Sequence, residues 1–209
     1  MGPRLKELRK ARKLTLSQVG QLTNVSISAL SKIENALVSP SFDIIKKICD
    51  GLDLAIEDLV TQGEMQSVGT QVFGRKTTTL TGEGARFTSG PYDYTAHATE
   101  LFRKGMMPFE MRVRARSIDE FDHWSQHNGE EFVYVLIGSI EIHTEFYAPF
   151  RLNQGESAYF DSSMPHLYLS ISDEDAQILS ISHDPNQDRK PSLPFMNSSA
   201  RTAPPHGER

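Results

Sequence analysis

The feature that most constrains this chain is a change of hydrophobic period near Thr61. Before it, apolar residues recur at helical spacing, as in Leu5 and Leu8, Val19 and Leu22, Leu30, Ile33 and Leu37, then Ile45, Ile48 and Leu52. After it the period falls to two, as in Phe109, Met111 and Val113, or Glu131, Val133, Val135 and Ile137, between glycine, proline and aspartate turn signals. One architecture cannot satisfy both periods, so the expectation is a two-domain protein: an all-α bundle followed by an all-β domain. The 209 residues leave room for two small cores. The expected boundaries are a helical domain at 1–60, a polar linker at 61–69, a β domain at 70–185, and a tail at 186–209 too poor in apolar residues to fold.

Charge divides along the same line. The formal net charge is −5, yet six basic residues crowd the first 13 positions: Arg4, Lys6, Arg9, Lys10, Arg12 and Lys13. A basic cluster on an acidic chain suggests a local polyanion site or a solvated helix face. The basic amino end has no apolar run behind it and does not read as a secretory leader. No stretch approaches the roughly 20 apolar residues of a membrane span, so the expected location is cytoplasmic. Cys49, the single cysteine, falls in the stripe with Ile45 and Ile48 and reads as a core residue.

The most informative stretch is LTLSQVGQLTNVSISALSKIENA, residues 14–36. Thr15 and Gln18 have the spacing of a capping box, with Leu14 and Val19 as its hydrophobic staple. Ser26 can cap a second helix, with Val25 and Leu30 repeating the staple. Two helices separated by a turn at Thr23 and Asn24 have the layout of a helix-turn-helix, whose second helix enters the DNA major groove. Leu30 and Ile33 then face inward, leaving Ile27, Ser28, Ser31 and Lys32 for base edges, with Ser26 at the helix start. Thr15 and Gln18 are placed for phosphate contacts, as are Arg9 and Arg12 or Lys13. The run SISALSKIENALVSPSFDIIKKICDGLDL resembles the XRE family, the phage-repressor and Cro type of helix-turn-helix, across nearly all of residues 4–60. Ala36 stands where that family usually has glycine, so an alanine at positive φ is expected there.

In the β half, HNGEEFVYVLIG at 127–138, with Gly155, Pro165 and His166 further on, resembles the two motifs of the cupin superfamily. His127 matches the second histidine of the first motif, Glu131 its carboxylate and Gly138 its closing glycine, while His166 matches the histidine of the second motif. Ser125 stands where the first histidine belongs, and Asp161, Ser163 and Ser170 also depart from the pattern. The resemblance implies a double-stranded β-helix, or jelly-roll barrel, in which His127, Glu131 and His166 converge. Two histidines and a carboxylate form a facial triad that holds one divalent metal, such as iron, zinc or manganese. A metal-free effector pocket and a purely structural role remain open beside it.

Tyr92, Tyr94, Arg112 and Tyr168, with Arg114 and His123, are further candidates to line that pocket. Strand alternation turns either Phe109, Met111 and Val113 or Glu110, Arg112 and Arg114 inward, and an arginine inside would favour an anionic ligand. Together the two resemblances imply a sequence-specific DNA-binding transcriptional regulator whose cupin domain senses a small-molecule effector or a metal. A homodimer is expected, because one such helix reads a half-site and the Phe132, Tyr134 and Leu136 face offers a surface between copies. The alternative is a mononuclear iron cupin oxidoreductase similar to hydroxypropylphosphonate epoxidase.

Overall fold

The computed structural model describes residues 1–54, 56–60, 74–101 and 104–183. The expected linker at 61–69 and tail at 186–209 lie outside them.

The amino-terminal half is helical: α1 (Gly2–Ala11), α2 (Leu16–Thr23), α3 (Ile27–Glu34), α4 (Phe42–Leu52) and α5 (Ile56–Val60). Thr15 caps α2 with the full capping box, its hydroxyl accepting from the Gln18 backbone N–H while the Gln18 side chain accepts from the Thr15 N–H. Asn24 ends α2 in the left-handed region, and Ser26 caps α3 by accepting from the Ala29 N–H. Ala36 does adopt φ +55° after α3. The core of this half holds Leu5, Leu8, Val19, Leu30, Ile33, Ile45, Ile48 and the buried thiol of Cys49. Leu22 and Leu37, read as part of the apolar stripe, are instead 54% and 73% exposed. Leu22 is the next-to-last residue of α2 and Leu37 lies three residues past the end of α3, where the chain turns away from the core. α4 packs closely against α2 because Gly51 has no side chain: a Cβ there would come within 2.4 Å of the Leu22 carbonyl oxygen.

A buried ion pair locks α1 to α3. The Arg9 guanidinium donates to both carboxylate oxygens of Glu34, at 2.7 and 2.9 Å, and to the Leu14 carbonyl. Arg9 is therefore committed to the fold, which corrects its reading as a phosphate contact.

The second half consists of β1 (Ala85–Ser89), β2 (Tyr92–Ala96), β3 (Met106–Val113), β4 (Glu130–Ile137), β5 (Ser139–Thr144), β6 (Phe150–Asn153), β7 (Ser157–Asp161), β8 (His166–Ser170) and β9 (Ala176–His183). Every pairing is antiparallel. Among the described residues the ladders form a six-stranded sheet, β1-β2-β3-β9-β4-β7, and a three-stranded sheet, β6-β5-β8, rather than a continuous ring of hydrogen bonds. Val133 and Val135 of β4, Ile140 and Ile142 of β5, and Ile178 of β9 are fully buried. Ile137, expected on the inner face, is 50% exposed. The register between β4 and β9 slips between Val135 and Ile137, and that irregularity takes Ile137 out of the inward alternation.

On β3 the inward residues are Phe109, Met111 and Val113. Arg112 therefore points outward, where it pairs with Asp175 at 2.7 Å. Its expected place in the pocket is corrected: burying the apolar face of β3 leaves the charged face in water.

The two halves share one cluster of buried residues that runs from Leu5 to Ile178. Phe42, the first residue of α4, joins them. Its ring stacks at 5.8 Å on Tyr94 and meets Phe109 and His127 edge-on at 5.5 and 5.4 Å.

Candidate functional site

Two sites emerge, one in each half. On α3, Leu30, Ile33 and Glu34 are buried, while Ser28, Lys32 and the half-exposed Ile27 lie on the outer face with Ser31 partly covered. The Ser26 and Ser28 hydroxyls lie 3.2 Å apart at the start of this helix. Thr15 and Gln18 are exposed at the start of α2. The capping box turns the Gln18 side-chain oxygen toward Thr15, leaving the amide N–H groups for an outside acceptor. All seven residues read as DNA contacts are thus at the surface or partly so. Lys10 and Lys13 add exposed positive charge nearby in the chain.

In the β half, His127, Glu131 and His166 are buried and offer ligand atoms within 4.8 Å of one another. Gly129, at φ +102°, makes the turn between His127 and β4. His127 sits in the segment leading into β4, tied by its N–H to the Ser162 carbonyl. The Glu131 Oε1 atom accepts from the Tyr168 hydroxyl at 2.6 Å and the Ser180 hydroxyl at 2.7 Å. Oε2 faces the two imidazoles, 3.0 Å from His127 Nε2 and 3.5 Å from His166 Nε2. His166 donates from Nδ1 to the Met164 carbonyl at 2.8 Å. That bond orients the ring and turns Nε2 toward the carboxylate, the arrangement that metal-ligating histidines adopt.

Burial alone would raise the Glu131 carboxyl, but the hydrogen bonds and charge of His127 and His166 outweigh it and hold the group well below the usual carboxylate range. Burial would lower His166, yet the Glu131 hydrogen bond and charge outweigh it and raise the imidazole. The pocket thus favours one ionised carboxylate with a positive charge beside it. Tyr168, by contrast, is pushed well up by burial and by the Glu131 charge, so its phenol stays a donor. The donor set is compatible with a divalent metal: two nitrogens and one carboxylate oxygen converge while the second oxygen is anchored by two hydroxyls.

Tyr92, Tyr94 and Tyr168 also line this pocket. Tyr92 accepts from the Tyr168 N–H and donates to the Tyr168 carbonyl, which fixes β8 against β2. Ser180 was not anticipated as a pocket residue. Its signal lies in β9, where the inward series Ala176, Ile178, Ser180, Ser182 changes from apolar to hydroxyl. Phe42 and Asp43 were also missed. Ser125, at the position of the absent first histidine, donates its hydroxyl to Asp43 Oδ1 at 3.2 Å, and the Gln126 N–H donates to Asp43 Oδ2 at 3.1 Å. Ser41, which precedes α4 without capping it, bonds the His123 ring at 3.0 Å instead. The start of α4 therefore closes one end of the pocket. Beside the triad only about 20 Å³ is left, enough for a water-sized species.

Residues 5–59 match the helix-turn-helix family and residues 111–182 the cupin domain family. No curated protein matches the chain in sequence. Among solved structures, an HTH_3 family transcriptional regulator from Vibrio cholerae is similar at 23% identity and a TM-score of 0.54, covering 88% of this chain and 95% of that one. Hydroxypropylphosphonic acid epoxidase from S. wedmorenis is similar at 17% identity and a TM-score of 0.47, covering 87% of this chain and 95% of that one. No helix among the described residues is long and apolar enough to cross a membrane. The chain thus joins a helix-turn-helix domain at one end, the mark of a DNA-binding regulator, to a cupin domain at the other.

Proposed function

We propose that the chain reads an operator as a cytoplasmic homodimer through α3, and that its cupin domain senses a small molecule beside one divalent metal ion held by His127, Glu131 and His166. The observation that carries the DNA reading is the division of α3 into a locked inner face and an outer face of Ile27, Ser28, Ser31 and Lys32. Small hydroxyl side chains permit close approach to base edges, Ile27 suits a thymine methyl, and Lys32 reaches guanine or phosphate. Thr15 and Gln18 contact the phosphates that set the register. The outward face of β4, with Tyr134 at 37% exposure between the partly covered Phe132 and Leu136, supports the dimer.

Retardation of promoter DNA by the purified protein is the test. The observed affinity falls linearly with salt on logarithmic axes, and Lys32→Ala reduces that slope by about one. Absence of any salt-dependent retardation would sink the regulator reading.

For the metal, two imidazoles and a carboxylate suit iron, zinc or manganese. Loading displaces the proton that the pocket favours on His166, so affinity falls as pH falls. Purified protein is expected to hold about one equivalent of metal per chain, lost in both His127→Ala and His166→Ala. Elemental analysis showing metal retained in both variants would exclude this triad as the site. An oxidoreductase reading ranks second: the same triad leaves coordination positions open, but only about 20 Å³ lies directly beside it.

A further inference from the structure

A second and larger cavity, about 120 Å³, lies at the seam between the two halves. Its walls come from both: Ser41, Phe42 and Asp43 from the start of α4, and Tyr94, Phe121 and Asp122 from the β domain. It adjoins the metal pocket through Phe42, Tyr92 and Tyr94, which line both.

Three properties of the walls define an occupant. The first is size, since a cavity of about 150 Å³ takes a benzene-sized guest. The second is charge: Asp43, Glu120 and Asp122 line the space and no lysine or arginine does. Arg112 lies outside, paired to Asp175, and of the two imidazoles on the wall, His123 and His166, the second is already paired to Glu131. The third is an unmet polar group. Tyr94 is 5% exposed, and its hydroxyl makes no hydrogen bond to any described residue although the ring is packed on Phe42 and Phe87. Burial pushes that phenol well up, so it stays neutral and able to donate or accept. A hydroxyl without a protein partner at the wall of a cavity is a position for a ligand atom or a water. Tyr94 is stacked between Phe42 and Phe87, and the ring of Phe121 is the aromatic wall that suits a cation with an apolar body.

We propose that this seam cavity binds a small organic cation, an amine with about half a dozen non-hydrogen atoms, and that its occupation moves α4 relative to the cupin domain. The second half of this rests on the reading of the chain as a ligand-responsive regulator. Any guest touching Ser41 and Asp43 competes with their bonds to His123, Ser125 and Gln126, so bound and free states differ in how the helical domain is held.

Calorimetric titration of the full chain with butylammonium, butanol and butyrate tests the assignment. Butylammonium is expected to bind at least about tenfold more tightly than butyrate. Tyr94→Phe and Asp122→Asn, both conservative in shape, each weaken the amine at least about threefold. Butyrate binding as well as butylammonium, or both variants binding like the parent, would overturn the site. Saturating butylammonium is expected to change promoter affinity at least about fivefold, and an unchanged affinity overturns the coupling. Lys32→Ala retains the parent's amine affinity, so amine binding and DNA binding fail separately. A chain that binds the amine but retards no DNA overturns the regulator reading and leaves the cavity assignment standing.

Discussion

Glu34→Ala is expected to destabilise the helical domain by about 1.5–3 kcal/mol, because it removes both charged hydrogen bonds of the partly buried Arg9 guanidinium. Glu34 is 3% exposed by side chain and Arg9 13%, so water cannot readily take the carboxylate's place. The same pair fixes the spacing of α1 and α3, so the loss is felt directly at the helix proposed to read DNA. A urea melt followed by far-UV circular dichroism measures the cost. A double variant, Arg9→Met with Glu34→Leu, is expected to recover most of it, since apolar replacement of a buried pair is often neutral or better. If the single variant melts like the parent, the pair is not buried as described.

Phe42→Ala carries the other large effect. A phenylalanine-to-alanine change at a buried site costs about 3–5 kcal/mol, and here the lost contacts are those between the two domains. Trp124, the sole tryptophan, lies in the β half, so its fluorescence reports that half while circular dichroism at helical wavelengths reports the other. In the parent the two signals are expected to fall together. In Phe42→Ala the helical signal should fall first, because coincident transitions require the domains to unfold as one unit. Coincident curves in the variant, at the parent's midpoint, would show that Phe42 does not join the domains.

What the sequence disclosed follows from how far apart the interacting residues lie. The capping box of Thr15 with Gln18 and the cap at Ser26 are local arrangements with local signatures, and both were legible. So was the positive φ of Ala36, which a short turn after α3 requires. His127, Glu131 and His166 could be assembled because their spacing resembles a known motif. Arg112 was ambiguous for a physical reason: on β3 both alternating sets read as coherent faces, and only the packing of Phe109 on Phe42 and Tyr94 decides between them. Ile137 was misplaced because a single slip in the β4 ladder reverses the sides, and no residue type marks that slip. Asp43 and Ser125 are 82 positions apart, and an aspartate near a helix start has a sufficient local explanation. Its bonds to the β domain had no counterpart in the pattern.

The serine at 125 carries one more implication, about what this scaffold can become. In the cupin pattern that position supplies an imidazole, but here its short hydroxyl leaves space for the Asp43 carboxylate to reach the backbone of the same segment. A histidine there would lose the hydroxyl that donates to Asp43. Completing the ligand set and keeping this tie to α4 are therefore competing uses of one residue. A lineage that regained the imidazole would loosen the start of α4 at the end of the pocket, exchanging a tie between domains for a further ligand.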